Sequence, residues 1–467
     1  MNYEQVFTRG YFVSTDELRE PNIAEWTRLE LGGYYFYLEE KTEVQVWTIE
    51  NKSVVILGLA TDPENINDST RTIAKKTCQF FFEEGADEAI RYIAYLGGRF
   101  LAFIIDHHYK IQVIPDCHAT YACYYSTCGN VLLASHVNLL AQAAEKEVND
   151  TARNIVNSPD YVSPGGKYYP ALMLPFKGCC NLFPNNKLVS LFADKKIKSE
   201  RFYPFNDTQV NVTPLERRTV DEFNKTLGAN IKAIVKDRKF HISLTGGNDS
   251  GVTLASIIRE RLVSQTKSFT YFSIANASVM SHDLFQASER AYKAGIPHRV
   301  VDLKPLDATS SFHKMYSKSF RLGARFPSLA KAYYEDLPHD ILSLVSTCSE
   351  TGTVFYTERS NQNITPELLA SKFSPSKIKD NPDVIKSFEE YIEHTMFTEE
   401  KLGGLDFYDV FYWEHRNAKW ASLWYSEADL SHFTVVPFNQ RTLIELMLSI
   451  PLEQRASKEL LKRSMDS

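Results

Sequence analysis

The chain has 467 residues, 43% of them hydrophobic and 24% charged, with a formal net charge of −6. This is an ordinary globular balance, long enough for two domains with sizeable cores. The negative balance gives no reason to expect nucleic acid or an anionic membrane as partner, and no apolar run approaches the roughly 20 residues needed to cross a bilayer.

Up to about residue 145 short apolar runs alternate with turns, a strand-rich pattern. Strands are predicted over Tyr34 to Tyr37, Val44 to Trp47 and Ser53 to Leu57, and helices over Ser69 to Phe82 and Asp87 to Tyr95. Phe100 to Ile105 and Ile111 to Ile114 read as strand-turn-strand, and Val131 to Ser135 as a further strand. A passage rich in Gly, Pro and Asn from Asn157 to Asn186 reads as loop or linker. From Pro214 onward longer helices alternate with short strands, as in a parallel sheet wrapped by helices. Thr219 to Lys236 is a predicted helix, Phe240 to Leu244 a strand, Lys267 to Ile274 a second strand, Asp283 to Ala294 a helix and His298 to Asp302 a third strand. Seven cysteines without a Cys-x-x-Cys pair read as reduced thiols of a cytoplasmic protein. Met1 to Glu30 is charged throughout and has no signal-type apolar core.

The most informative segment joins the Phe240 to Leu244 strand to an apolar helix through Thr245-Gly246-Gly247-Asn248-Asp249-Ser250-Gly251. Paired glycines between strand and helix let backbone amides approach a ligand closely, and a helix N-terminus favours an anion. The turn therefore suits a phosphate or pyrophosphate. Thr245 and Ser250 add hydroxyl donors, and Asp249 is the expected Mg²⁺ ligand. The Lys of a Walker loop is missing, so a kinase-type phosphate cradle is excluded.

This spacing resembles the Ser-Gly-Gly-x-Asp-Ser pyrophosphate loop of the adenylating ATP pyrophosphatases, with Thr245 for the leading Ser. Further segments, taken in order, are similar to class B asparagine synthetases. They are Leu96 to Asp106 with Asp116 and Tyr124-Tyr125, Phe176 to Asn186 with Arg201 to Pro204, Pro437 to Glu445, and Arg455-x-x-Lys458 with Leu461. The resemblance spans nearly the whole chain. It implies a fold with an N-terminal, Ntn-hydrolase-like antiparallel sandwich over 1–205, including a bridge segment. An α/β parallel-sheet pyrophosphatase domain would follow over 206–467. It further implies adenine held by Phe272, Ser273 and the main chain of Leu244, with pyrophosphate cradled by Thr245, Gly246, Gly247 and Ser250. Lys458 would stabilise charge during acyl transfer, the alternative being a solvated lysine on a charged helix.

Two departures stand out. The family's amidotransferases begin with a catalytic Cys after Met removal, whereas Met1 is followed here by Asn2 and no Cys precedes Cys78. Ammonia release from glutamine by that route is therefore not expected. β-Lactam synthetases and lasso-peptide cyclases share that loss. The family's Gly-x-Gly-x-Asp-Glu segment has no glycine-bearing counterpart either. The best candidate is the strand-like Val354-Phe355-Tyr356 followed by Thr357 to Gln362, with Asn361-Gln362 in place of the acidic pair, Glu358 as a substitute ligand and Arg359 as a binder of phosphate or substrate carboxylate. The plainer reading of the segment is a polar helix start at Thr365-Pro366-Glu367. The aromatic cluster from Phe407 to Trp424 reads as core. Glu414, Arg416, Glu427 and Asp429, set among those rings, are each in a position to reach the cleft.

The expected protein is thus an ATP- and Mg²⁺-dependent enzyme that adenylates a small-molecule or peptide carboxylate and passes the acyl group to ammonia or an amine. It would act without nucleic acid or membrane partners and with a homo-oligomer open. Alternatives are a pyrophosphatase acting on a nucleobase and a scaffold that has lost catalysis.

Overall fold

A computed structural model describes residues 3–18, 20–127, 131–163, 166–322, 325–360 and 363–466. Residues up to Arg201 build two six-stranded antiparallel sheets. In spatial order the first runs Cys179–Asn181, Tyr124–Ser126, Leu132–Ala134, Tyr11–Ser14, Tyr34–Leu38 and Thr27–Leu31. The second runs Ile197–Arg201, Asn186–Leu191, Lys110–Pro115, Gly97–Asp106, Lys52–Thr61 and Val44–Ile49.

The Gly97–Asp106 strand shows how these layers stack. Leu101, Phe103 and Ile105 point into the core shared with Tyr11, Val13 and Phe36 of the first sheet. Phe100, Ala102 and Ile104 pack instead under Ile73, Cys78, Ile90 and Ile93 of the helices Thr70–Glu83 and Ala86–Ala94. A strand covered on both faces reads as a continuous apolar run, here Phe100 to Ile105. The Val137–Ala143 helix closes the outer face of the first sheet over Phe12, Tyr37 and Tyr124. The layer order, helix–sheet–sheet–helix, is compatible with an Ntn-type sandwich.

After Arg217 comes a five-stranded, wholly parallel sheet. Its spatial order is His298–Asp302, Thr266–Phe272, Phe240–Ser243, Leu342–Leu344 and Phe433–Val435. Phe223, Leu227 and Ile231 of the Arg217–Val235 helix, with Val252 and Ile257 of Asn248–Arg259, cover one face over Ile242 and Leu244. Leu329 and Tyr333 cover the other over Phe269 and Val301.

Two expectations are corrected here, and two strands were not foreseen. The helix predicted from Asp283 begins at Ala277, so Asp283 lies inside it. No strand forms at Val354-Phe355-Tyr356; Val354 sits in a turn at φ 58°. The fourth and fifth strands are Leu342–Leu344 and Phe433–Val435, too short to give a period-two signal.

Buried polar contacts join the N-terminal layers to the parallel sheet and its helices. Arg99 Nη1 and Nη2 donate to Asp429 Oδ1 and Oδ2, each at 2.7 Å. Arg201 grips Glu414 in the same bidentate way at 2.6 and 2.8 Å, and Arg441 Nη1 donates to Asn185 Oδ1 at 2.7 Å. Among the described residues no helix is long and apolar enough to cross a membrane.

Candidate active site

Parallel strands bring all their carboxyl ends to one edge. In this sheet the chain runs outward in one direction through the first three strands, then restarts on the other side of the first with the fourth. Connections therefore diverge between Phe240–Ser243 and Leu342–Leu344, opening a crevice of the kind that holds ligands in open α/β sheets. The Thr245 to Ser250 loop forms one wall, and the turn Val345 to Gly352 forms the other.

The loop is held tightly from within. Ser250 Oγ accepts from Thr245 N at 3.1 Å and donates to Thr245 O at 3.1 Å, while Arg290 Nη1 donates to the carbonyls of Thr245 and Gly247 at 2.8 and 2.7 Å. Gly247 N donates to Thr245 Oγ1 at 3.1 Å and Gly246 N to Asp283 Oδ1 at 3.2 Å. A Cβ on Gly246 would lie 2.8 Å from that same Asp283 oxygen and 2.5 Å from Gln286 Oε1, so these side chains would have to turn aside to admit one. The helix starts at Asn248 with no side-chain cap, which leaves its first-turn amides facing the crevice.

Across the crevice, Ser349 Oγ donates to Asp249 Oδ1 at 2.5 Å. Its neighbour Glu350 is half-buried, and one of its oxygens, Oε2, is shut off from solvent without a hydrogen-bond partner. Burial, then the negative charge of Asp249, raises the Glu350 carboxyl well above the usual range, while the nearby Tyr412 hydroxyl and Lys458 pull it back. Lys458 Nζ stands 3.8 Å from Asp249 Oδ2, its side chain 37% exposed and therefore reachable. Lys458 is in left-handed backbone, φ 56°, between the helices Leu452–Ala456 and Glu459–Asp466. Cys348 is also left-handed, φ 69°, just before Ser349-Glu350. Non-glycine residues held this way cost roughly 1–3 kcal/mol and cluster at functional sites.

The structure thus brings together Thr245, Gly246, Gly247, Asp249, Ser250 and Lys458. Leu244, Phe272 and Ser273 border the same edge, with Ser273 buried and Phe272 partly so. The Leu244 amide, expected to meet adenine, donates instead to Phe269 O at 2.9 Å. The Phe272 carbonyl accepts from Leu303 N at 2.7 Å. The Glu358 side chain is exposed, and its carbonyl accepts from Lys372. Arg359 is bound to Asp406 and Asp409 at 2.9 and 2.5 Å, Asp409 in turn receiving Arg455 at 2.7 Å. Among the described residues no hydrogen bond or ion pair links Glu358 or Arg359 to the loop; Arg359 belongs to a separate ion-pair cluster. Asn361 and Gln362 lie outside the described residues.

Sequence reasoning missed Ser349, Glu350, Asp283, Arg290 and Tyr412. The carboxylate that lies near Asp249 is Glu350, earlier in the chain than Thr357 to Gln362. Its signal was a glutamate just beyond a short apolar run, hidden because no Gly-x-Gly accompanies it.

Asp249 and Glu350 suit Mg²⁺. Among the described residues no group of three or more His, Cys, Asp or Glu surrounds a metal position. Mg²⁺ asks for less, namely one or two carboxylates with water and phosphate oxygens completing its octahedron. Glu350 Oε2, unpartnered and near a second carboxylate, is the atom that would hold such an ion together with Asp249.

No protein-family model matches the chain, and no curated protein sequence does. Two solved structures show a distant likeness. One is an allosteric regulatory enzyme of purine biosynthesis, at 9% identity and a TM-score of 0.26, covering 72% of this chain and 68% of that one. Another is the glutamine phosphoribosylpyrophosphate amidotransferase of B. subtilis complexed with ADP and GMP, at 10% identity and a TM-score of 0.21, covering 82% and 73%. At such scores neither carries an inference for this chain. The site stands on its own residues.

Proposed function

We propose that the protein is an AMP-forming carbon–nitrogen ligase. A carboxylate oxygen attacks the α-phosphorus of ATP and the α–β bridge breaks, giving an acyl-adenylate and pyrophosphate. An amine nitrogen or ammonia then attacks the acyl carbon, AMP leaves with the carboxylate oxygen, and the amine's proton passes to solvent. The observation that carries the reading is the facing of Asp249 and Glu350 across the strand crossover, with the Lys458 ammonium beside them.

When bound, Mg²⁺ would neutralise the phosphate oxygens and polarise the α-phosphate. Asp249 and Glu350 hold it, and the first-turn amides from Asn248 to Ser250 receive the departing pyrophosphate. Lys458 stabilises negative charge on the α-phosphate and on the tetrahedral oxyanion, more in the transition state than before it. The amine comes from solution. The described free cysteines are all buried, and burial raises the Cys117, Cys123 and Cys179 thiols to about 12, which leaves them protonated and inert.

Magnesium-dependent pyrophosphate release over a panel of carboxylates, with ammonium or amines supplied, tests this. Release that disappears in Asp249→Ala supports it; no release and no ATP binding refutes it. One observation favours a second reading, a scaffold without catalysis. The Gly246 amide already donates to Asp283, so the loop is closed on itself. An absence of both ATP binding and pyrophosphate release with every acid would support that reading.

A further inference from the structure

We propose that Arg416, flanked by Phe355 and Trp420, is the receptor for a second anionic group on the acid substrate, and that this acid has a flat body, an aromatic dicarboxylate being the simplest member of the class. What happens to the other carboxylate rests on the adenylating reading above; the binding itself does not.

The segment Tyr412–Ala421 is π-helical, a form that is rare and concentrated at functional sites. It steps Tyr412, Arg416 and Trp420 along one side at intervals of four. Tyr412 adjoins Glu350, and the Phe355 ring lies 4.6 Å from the Tyr412 ring. The Arg416 guanidinium is next, 4.7 Å from Phe355, 5.0 Å from Trp420 and 5.7 Å from Tyr168. Its Nη1 reaches the Tyr168 hydroxyl at 3.5 Å.

Four charged residues on this stretch were in a position to face the cleft, and three are consumed elsewhere. Arg201 holds Glu414. Glu427 accepts from the Tyr316 hydroxyl and from the amides of Arg325 and Phe326. Arg99 holds Asp429. Arg416, by contrast, forms no ion pair among the described residues, whereas Arg99, Arg201, Arg359 and Arg455 all do.

A second guanidinium sharpens the charge. Arg325 lies 3.8 Å from the Trp420 ring, with Nη1 donating to Trp420 O at 2.8 Å. Burial, opposed by Glu427 and aided by the positive charge of Arg416, lowers Arg325 to about 9. The Glu427 carboxylate answers Arg325, so the charge that an incoming anion would relieve is that of Arg416. Guanidinium forks take carboxylates bidentately, and flat groups stack on rings. Phe355, at 41% exposed, gives that stacking surface open access.

Position selects the substrate over the nucleotide. Phe272 and Ser273 close the crevice on the side of the second strand, and Tyr412 and Arg416 lie beyond Glu350 on the side of the fourth. An acid reaching from the metal-binding pair toward Arg416 leads away from the nucleotide end.

The test titrates the full chain, without ATP, with benzene-1,3-dicarboxylate, benzoate and aspartate, read by calorimetry and tryptophan fluorescence. The dicarboxylate is expected to bind roughly tenfold to a hundredfold tighter than either of the others, the range of a charge-assisted hydrogen-bond pair. Arg416→Met should bring it down to the benzoate level. Arg416→Lys, which keeps charge and stem, should recover it only partly. Phe355→Ala, at an exposed position, should weaken both aromatic acids and leave aspartate unchanged. Equal affinity for the three acids, or dicarboxylate binding indifferent to Arg416→Lys and Phe355→Ala in folded protein, overturns the inference. Pyrophosphate release separates the two claims. Dicarboxylate bound through Arg416 without release sinks the ligase reading alone, and release from benzoate and the dicarboxylate at equal KM in an Arg416-independent way sinks this one alone.

Discussion

Lys458 Nζ lies 3.8 Å from Asp249 Oδ2, and the residue that makes this contact sits at φ 56° in the break between two short helices. The backbone there would be easier for glycine, and the side chain is what the site requires. Lys458→Gly is therefore expected to raise stability by about 1 kcal/mol, the low end of the cost of a left-handed non-glycine residue. It should also lower ligation by about 10²–10³-fold, as removal of a charge-stabilising donor does. Thermal unfolding and pyrophosphate release should move in opposite directions. A loss of both stability and activity would mean that Lys458 is structural.

Glu350 makes stability depend on pH and metal. Its folded pKa, raised to about 7 by burial and by Asp249, exceeds the roughly 4.3 of a free glutamate. The fold prefers the protonated form, so this contribution is full below pH about 4 and is lost as pH rises through about 7. In EDTA the melting temperature should fall as pH rises from about 4 to about 7, less so in Glu350→Gln. Mg²⁺, which needs the deprotonated form, should bind more tightly at pH 8 than at pH 6. Identical pH profiles for the native chain and Glu350→Gln would contradict the assignment.

Asp283 competes with phosphate for the Gly246 amide. Asp283→Asn removes a negative charge from the phosphate position and should tighten ATP binding several-fold, measured by calorimetry with Mg²⁺ present. Weaker binding in this variant would place Asp283 among the supports of the site.

The Arg99–Asp429 pair is nearly inaccessible to solvent and joins two layers of the molecule. Arg99→Met leaves a buried carboxylate without its partner and should destabilise by about 3–5 kcal/mol. Arg99→Met combined with Asp429→Leu should be milder than the single change. Urea unfolding of the three proteins decides it; a double variant no better than the single one would show that packing dominates.

Local patterns made the loop, the flanking helices and most longer strands legible in the sequence. A buried strand such as Phe100 to Ile105 is apolar along its length, and Gly246-Gly247 before an apolar helix marks a close backbone approach wherever it occurs. Three-residue strands carry too little periodicity to be seen, so Leu342–Leu344 and the glutamate behind it leave no signal in the sequence, where Glu358 and Arg359 stand out instead. Which of Glu414, Arg416, Glu427 and Asp429 faces the cleft was equally hidden, because the answer depends on Arg201 and Arg99 arriving from distant strands to neutralise two of them. By itself the sequence determined which segments bend, bury and bear charge, since those preferences act over a few neighbouring residues. Only the tertiary structure decided which carboxylates meet and which cations stay unpaired, because pairing is settled by the order of strands in the sheet rather than by their order in the chain.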